Sequence, residues 1–278
     1  MPELPEVETM RRGVMPIVGQ TIEDVRRVAV KLRPILIQPR VDAFRRRCLG
    51  RRIVEVGRLG KRVLVRLDSD DTIVFEPRMT GLVLLADPPN REHLRMEFSL
   101  GGGSSPQLLY WDRRGLGNVR LFSPDELRRQ WGEGRLGPDA LAISAEQLRD
   151  ALRRRRRPVK VALLDQAIVA GIGNLYASEI LHVAQIHPAA RCDRLTRAQW
   201  QRIHAATQHV LLEAIRYEGS TLSDGTYRNA LNQAGGYQNH HRVYDLAGQQ
   251  CRRCEMGVIQ RIVQAQRATF FCPHCQRR

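Results

Sequence analysis

The tightest constraint on how this chain folds lies near its end, where Cys251-Arg-Arg-Cys254 and Cys272-Pro-His-Cys275 form two CxxC pairs separated by seventeen residues. Each CxxC turn bends two thiols toward one centre, and the spacing between the pairs suits a four-thiolate zinc site. The segments Val258 to Val263 and Arg267 to Phe271 can form a hairpin behind it. Two disulfides or a redox dithiol are the alternatives. Cys48 and Cys192 stand isolated, and paired motifs in a chain with no secretory pattern at its start favour zinc. Four thiolates close a tetrahedron, so Cys251, Cys254, Cys272 and Cys275 are expected to hold one structural Zn2+ with no open catalytic position. No small-molecule cofactor is implied.

The formal charge is +16, from 45 Lys and Arg against 29 Asp and Glu over 278 residues. Such a balance calls for an anionic partner of high charge density; nucleic acid is favoured and acidic lipid is the rival. No apolar stretch approaches the roughly 18 residues of a membrane span. A cytoplasmic protein without membrane association is therefore expected. Arg153 to Arg157 place five guanidinium groups side by side. Read alone they are a solvated helix end; with the global charge they favour contact with phosphate, which arginine engages as a fork of donors.

Short β-rich runs dominate the first half: Ile53 to Val56, Val63 to Leu67, Thr72 to Phe75, Leu82 to Leu85 and Leu108 to Trp111. Leu94 to Leu100 alternates apolar and polar residues and predicts a strand with one buried face. A β-sandwich or barrel is the natural packing. From residue 123 helices take over, because Ser123 to Glu126 and Ser144 to Gln147 carry capping-box spacing. Thr196 to Gln199 opens a further helix whose core face is Trp200, Ile203, Thr207, Val210, Leu211 and Ala214. His204 and His209 on it lack partner spacing and receive no role. Ala167 to Glu179 has the form helix, glycine turn, helix, with Asn174 suited to cap the second helix. A plain helical hairpin and a phosphate-binding helix start are both open readings of its glycines. Ser220 to Gln250 loses hydrophobic content and reads as a mobile, functional loop.

The chain opens Met1-Pro2-Glu3-Leu4-Pro5-Glu6-Val7-Glu8-Thr9. Removal of Met1 would leave Pro2 with a free secondary amine. An α-amino group titrates at about 7.7–8.0, so near neutrality an uncharged fraction can attack a carbonyl carbon to form a Schiff base. Glu3 and Glu6 are potential proton carriers beside it. Pro5 equally suits the first turn of a helix with acidic residues at its start and Arg11 and Arg12 at its end. Val7, Met10 and Val14 would dock that helix on a core.

The opening Pro2 to Thr9, the Gly171-Ile-Gly-Asn174-Leu-Tyr-Ala-Ser-Glu179 segment, and Gln266-Arg267-Ala-Thr-Phe-Phe-Cys272 together closely resemble the bacterial formamidopyrimidine-DNA glycosylases, in the same order along the whole chain. The resemblance implies an N-terminal β-sandwich catalytic domain over 1–135, a helical helix-two-turn-helix DNA-binding domain over 136–243 and a C-terminal β-hairpin zinc finger over 244–278. It implies a monomeric, bifunctional glycosylase and abasic-site lyase of base excision repair, acting on oxidised purines in damaged double-stranded DNA and associated with the nucleoid. Carried across by matching motifs, Pro2 is the Schiff-base nucleophile, Glu3 the principal proton donor, Lys61 an aid to β-elimination and Arg267 the finger arginine of δ-elimination. Asn174, Lys160, Arg155, Arg91 and His93 match DNA contacts. Met79, Arg114 and Leu116 fall on the side chains that fill the space of the flipped base.

The chain departs from the family pattern where His-Leu-Gly-Met-Ser-Gly is replaced by Glu76-Pro77-Arg78-Met79-Thr80-Gly81. It departs again where Asp-Pro-Arg-Arg-Phe-Gly is replaced by Asp112-Arg113-Arg114-Gly115-Leu116-Gly117, and where His-x-His becomes Arg91-Glu92-His93. An aliphatic Leu116 cannot stack as a ring does. An endonuclease VIII-like enzyme for oxidised pyrimidines and a non-catalytic zinc-containing damaged-DNA-binding protein are the alternative functions.

Overall fold

The computed structural model describes residues 2–132 and 134–277. Met1, and with it the expected removal of that residue, lies outside the described residues. The chain forms two compact units; the first holds the chain up to Gly132 together with Tyr217–Gln238, and the second holds the remainder. Tyr217–Gln238 thus packs with the N-terminal segment, although its sequence position lies inside 136–243.

In the first unit, helix α1 (Leu4–Gly13) precedes strands β1 (Thr21–Arg27) and β2 (Leu36–Gln38), helix α2 (Val41–Cys48), and strands β3 (Ile53–Leu59), β4 (Arg62–Leu67) and β5 (Thr72–Glu76). Strands β6 (Gly81–Leu84), β7 (Leu94–Gly101), β8 (Gln107–Asp112) and β9 (Asn118–Phe122) follow, then helix α3 (Pro124–Trp131). They form a four-stranded sheet ordered β1-β7-β8-β6 and a five-stranded sheet ordered β2-β9-β5-β4-β3. The expected β-sandwich is present. Phe75 of β5 meets Phe98 of β7 edge to face at 5.7 Å, joining the two sheets. Val7, Met10 and Val14 of the α1 segment are fully buried in the same core, so the helix that begins at the N-terminus is held by apolar packing rather than by its own short length.

Strand β7 is buried on more than its apolar face. Arg95 and Glu97 are covered as well, because Arg95 Nε donates to the Asp112 carbonyl at 2.9 Å and Glu97 pairs with Arg91 and Arg26. The expected single buried face is corrected: partnered charges allow the second face to be covered.

The first part of the supposed mobile loop is also corrected. Tyr227 and Ala230 belong to the sandwich core. The Ala230 carbonyl accepts from Leu85 N at 2.9 Å, and a Cβ on Gly13 would lie 2.5 Å from that of Ala230. A segment without periodicity is therefore fixed by two buried side chains and a backbone splice.

The second unit contains α4 (Ala145–Leu152), α5 (Val159–Leu163), α6 (Asn174–Ala184) and α7 (Arg197–Arg216), followed by the hairpin β10 (Gln260–Gln264) and β11 (Arg267–Phe271). Capping boxes at Ser123 and Ser144 start α3 and α4, and Thr196 and Gln199 exchange the equivalent bonds before α7. All of the expected core face of α7 is buried. Residues 167–170 are not helical, so α6 is preceded by turns. Among the described residues no helix is long and apolar enough to cross a membrane.

Candidate active site and nucleic-acid interface

Pro2 and Glu3 are both buried at the start of α1. The Glu6 carboxylate, 3% exposed, reaches back to accept the Glu3 backbone N–H at 2.9 Å with one oxygen and the Ser220 N–H at 2.8 Å with the other. Glu6 is thus a backbone clamp rather than the free proton carrier suggested by its sequence position, since backbone donors occupy both of its oxygens. It fixes the peptide that follows Pro2 and joins it to a residue 214 positions away. Tyr227 adds a hydroxyl donation to the Glu218 carbonyl at 2.9 Å within the same segment.

Lys61 follows Gly60, whose φ of +56° forms the tight turn between β3 and β4. Arg58 secures that turn from one side, donating to the Gly60 carbonyl at 3.0 Å and to Glu8 at 3.1 Å. Burial raises the Glu8 pKa, but hydrogen bonds from Arg11, Arg12 and Arg58 and the Arg11 charge outweigh it and hold the group down to about 2. This charge cluster ties the Lys61 turn to the helix that follows Pro2 and Glu3.

Met79 and Arg114 are exposed and Leu116 is half-buried, on the two turns 77–81 and 112–117. The Glu76 departure has a local explanation. Its carboxylate pairs with Arg62 at 3.3 Å and Arg120 at 3.4 Å, and both guanidinium groups stack on Trp131, 4.6 and 4.9 Å from the ring centre. An acid balances the two cations at a stacked site. Arg91 is exposed beside Glu97, whereas His93 packs edge-on to Trp111 at 5.5 Å and is only partly accessible.

In the second unit, Asn174 is the first residue of α6 and does not cap it; Gly173 occupies the cap position. The Asn174 amide instead donates to the Ala268 carbonyl at 2.9 Å, and its oxygen accepts from Lys160 Nζ at 2.5 Å. Lys160 is fully buried and also donates to Thr269 Oγ1 at 2.9 Å. Its ammonium is bonded inside the protein, where it fixes Asn174 against the hairpin. Arg267 opens β11 opposite Gln264, next to a tip in which Ala265 and Gln266 both have positive φ, at 46° and 59°. Arg267 and Arg155 are exposed. Of the two glycines before α6, Gly171 has a positive φ, at 110°, while Gly173 is extended.

The four ligand sulfurs of Cys251, Cys254, Cys272 and Cys275 lie within 4.8 Å of one another. Cys251 and Cys275 sulfurs are 3.8 Å apart and those of Cys254 and Cys272 are 3.7 Å apart. A tetrahedron with Zn–S bonds of about 2.3 Å has edges of roughly 3.8 Å, so the donor set fits one zinc ion. Gly257 N and Cys275 N donate to the Cys254 and Cys272 sulfurs, each at 3.4 Å, as suits thiolates. Cys48 and Cys192 are fully buried, and burial pushes their thiols up to about 12 and about 11, leaving them unreactive.

One positioning residue was missed in the sequence. Glu179 is fully buried on α6 and accepts from the backbone N–H groups of Arg242, Val243 and Tyr244 at 2.9, 2.9 and 2.8 Å. No local signal reveals a carboxylate whose partners are more than sixty residues away.

The profile of the formamidopyrimidine-DNA glycosylase N-terminal domain matches residues 1–119, that of its H2TH domain matches 136–226, and the zinc finger found in FPG and IleRS matches 248–278. A formamidopyrimidine-DNA glycosylase of Chloroflexus aurantiacus is 40% identical over 99% of this chain and 98% of its own length. A Lactococcus lactis FPG mutant, solved in complex with DNA containing Fapy-dG, is 32% identical, with a TM-score of 0.88 and full coverage of both chains. The wild-type Lactococcus lactis FPG bound to DNA containing an oxidised pyrimidine is also 32% identical and fully covered, with a TM-score of 0.87. This chain belongs to the formamidopyrimidine-DNA glycosylase family. It is a DNA glycosylase of base excision repair, with one structural zinc in its finger.

Proposed function

We propose that this enzyme removes oxidised purines, 8-oxoguanine and formamidopyrimidines, from duplex DNA and then cuts the strand through a Schiff base on Pro2. The observation that carries the reading is the Glu6 clamp, which fixes the peptide joining Pro2 and Glu3 at a buried helix start. A secondary amine held in place there forms a bond to the sugar C1′ as the bond from C1′ to the base breaks, and the base leaves with a proton, for which Glu3 is the nearest acid by sequence. Once the attached nitrogen has lost its own proton, its lone pair opens the sugar ring as O4′ leaves C1′ and takes up a proton, and loss of the C2′ proton from the resulting iminium expels the 3′ phosphate. A second elimination expels the 5′ phosphate, and water releases the sugar remnant from the amine. Lys61 assists the first elimination and Arg267 the second.

Met79, Arg114 and Leu116 take the space left by the flipped nucleotide, while Arg91, His93, Arg155 and Asn174 contact the DNA. Lys160 acts through Asn174. The zinc, when bound, cross-links the finger, and the hairpin behind the four cysteines presents Arg267. The enzyme works as a cytoplasmic monomer on nucleoid DNA, in three functional segments over 1–135, 136–243 and 244–278. The Fapy-dG in one Lactococcus complex supports the purine assignment; the oxidised pyrimidine in another makes pyrimidine lesions a second substrate class to test.

Single-turnover excision by the native protein and by Pro2→Gly on duplexes with 8-oxoguanine, a formamidopyrimidine or an oxidised pyrimidine tests the assignment. Excision of the purines that is strongly slowed in Pro2→Gly, whose terminal amine is primary and lacks the ring that fixes its direction, is expected. Turnover of the pyrimidine alone would move the enzyme to the endonuclease VIII-like reading, equal excision by both proteins would remove Pro2 from the chemistry, and no excision by either would favour a non-catalytic binder.

A further inference from the structure

The two turns that carry Met79, Arg114 and Leu116 meet at a buried carboxylate. Asp112, fully buried at the end of β8, pairs in register with Gly81 at the start of β6. Its Oδ1 accepts the Thr80 hydroxyl at 2.5 Å and the Arg114 N–H at 3.2 Å, while Oδ2 accepts the Gly117 N–H at 2.7 Å. The Thr80 oxygen in turn accepts from Arg114 N at 3.0 Å. The Asp112 backbone reaches further, with its N–H donating to the His93 carbonyl at 2.9 Å and its carbonyl accepting from Arg95 Nε at 2.9 Å.

Beneath the same junction lies the buried Tyr110 hydroxyl, which donates to the Glu76 carbonyl at 3.2 Å. A Cβ on Gly81 or Gly117 would come within 2.5 or 1.8 Å of it. Both glycines are therefore required by close approach, and both turns pack against the same hydroxyl.

We propose that Asp112 and Thr80 are positioning residues that lock Met79, Arg114 and Leu116 into one rigid comb and thereby set the rate at which the target base leaves the stack. The proposal rests on the wedge role assigned above to those three side chains. The chemistry of the couple is specific. A carboxylate only accepts, and here it takes three donors; asparagine would turn an NH2 group against one of them. The Thr80 hydroxyl donates to one partner and accepts from another, which valine, of similar volume, cannot do and serine can. A wedge without a ring gains nothing from stacking, so Leu116 depends on the accuracy of its frame more than an aromatic residue would.

The couple touches no reacting atom. Its loss should slow base eversion and leave elimination at a preformed abasic site, where no base has to be displaced, within about twofold of the native rate. The test compares Thr80→Val, Thr80→Ser and Asp112→Asn, with Met79→Ala and Leu116→Ala alongside. It reads single-turnover excision of 8-oxoguanine, cleavage of an abasic duplex, and the fluorescence rise of 2-aminopurine next to the lesion. Thr80→Val and Asp112→Asn are expected to slow excision and the fluorescence rise by on the order of tenfold, with Thr80→Ser near native.

If Met79→Ala or Leu116→Ala slows excision while folded Thr80→Val and Asp112→Asn do not, the positioning role is overturned and the wedge reading stands. Excision and abasic cleavage falling by the same factor would also overturn it, since that marks a general structural effect. Native excision by both Met79→Ala and Leu116→Ala would instead remove the wedge reading on which the proposal rests. Should Asp112→Asn fail to fold, the volume-matched Thr80→Val carries the test.

Discussion

Replacing Glu6 by glutamine keeps the size of the side chain and removes one acceptor from a carboxylate that holds Glu3 N at 2.9 Å and Ser220 N at 2.8 Å. Glutamine has one carbonyl oxygen for these two N–H groups, and its NH2 must face the other, donor against donor. A lost hydrogen bond to a charged acceptor costs about 1.5–3 kcal/mol, and a buried N–H left without a partner costs about 1–3 kcal/mol; the two overlap, so a loss of roughly 3 kcal/mol is expected. The peptide after Pro2 also loses its fixed position in whichever conformers turn the NH2 toward Glu3. A displacement of an ångström at a reacting group can reduce a rate by on the order of a hundredfold, so a fall in imine formation between about tenfold and a hundredfold is expected. Urea unfolding measures the first effect. Single-turnover borohydride trapping on an abasic duplex, under conditions where the variant is folded, measures the second. A Glu6→Gln protein with the native unfolding midpoint and the native trapping rate would refute the clamp.

Three further outcomes follow from the same geometry. The Glu8 pKa of about 2 lies below the ordinary 4.5, so its stabilising contribution is complete above about pH 4.5 and is lost as pH falls toward 2. Glu8→Gln should be less stable than native by about 2 kcal/mol at pH 7, after discounting for solvent screening, with the gap closing on acidification; a gap independent of pH would contradict this. Cys272→Ser should lose the zinc and weaken DNA binding and strand cleavage together, and normal cleavage by the metal-free variant would contradict the placement of Arg267 on the finger. Leu116→Phe should change the excision rate or the preference for the base opposite the lesion; unchanged kinetics against every opposing base would count against Leu116 as a wedge.

Local patterns carried much of the fold. The two CxxC pairs, the capping boxes and the apolar face of α7 each depend on residues close in sequence, where periodicity and side-chain chemistry act directly. β1 escaped because a register irregularity between Ile22 and Asp24 breaks its alternation, and α2 because only Phe44 and Cys48 of its residues are buried among three arginines. β9 is nearly buried on both faces and shows no alternation. The segment Tyr217–Gln238 has no period at all, and its place in the sandwich depends on Tyr227 and Ala230 meeting a core built more than a hundred residues earlier.

The site shows the same division. The cysteine cluster and the start of α1 were readable from motifs, whereas the clamps at Glu6 and Glu179, the burial of Lys160 and the Asp112–Thr80 couple depend on distant backbone partners that one sequence does not reveal. The Glu76 departure became intelligible only with Arg62, Arg120 and Trp131 around it.

The central claim, that the amine of Pro2 carries the chemistry, is tested most directly by trapping the enzyme with borohydride on a duplex containing 8-oxoguanine and locating the linked residue by peptide mass spectrometry. The account predicts a reduced adduct on an N-terminal peptide beginning at Pro2. An adduct on Lys61 or any other lysine, or no adduct while the strand is cut, would contradict it.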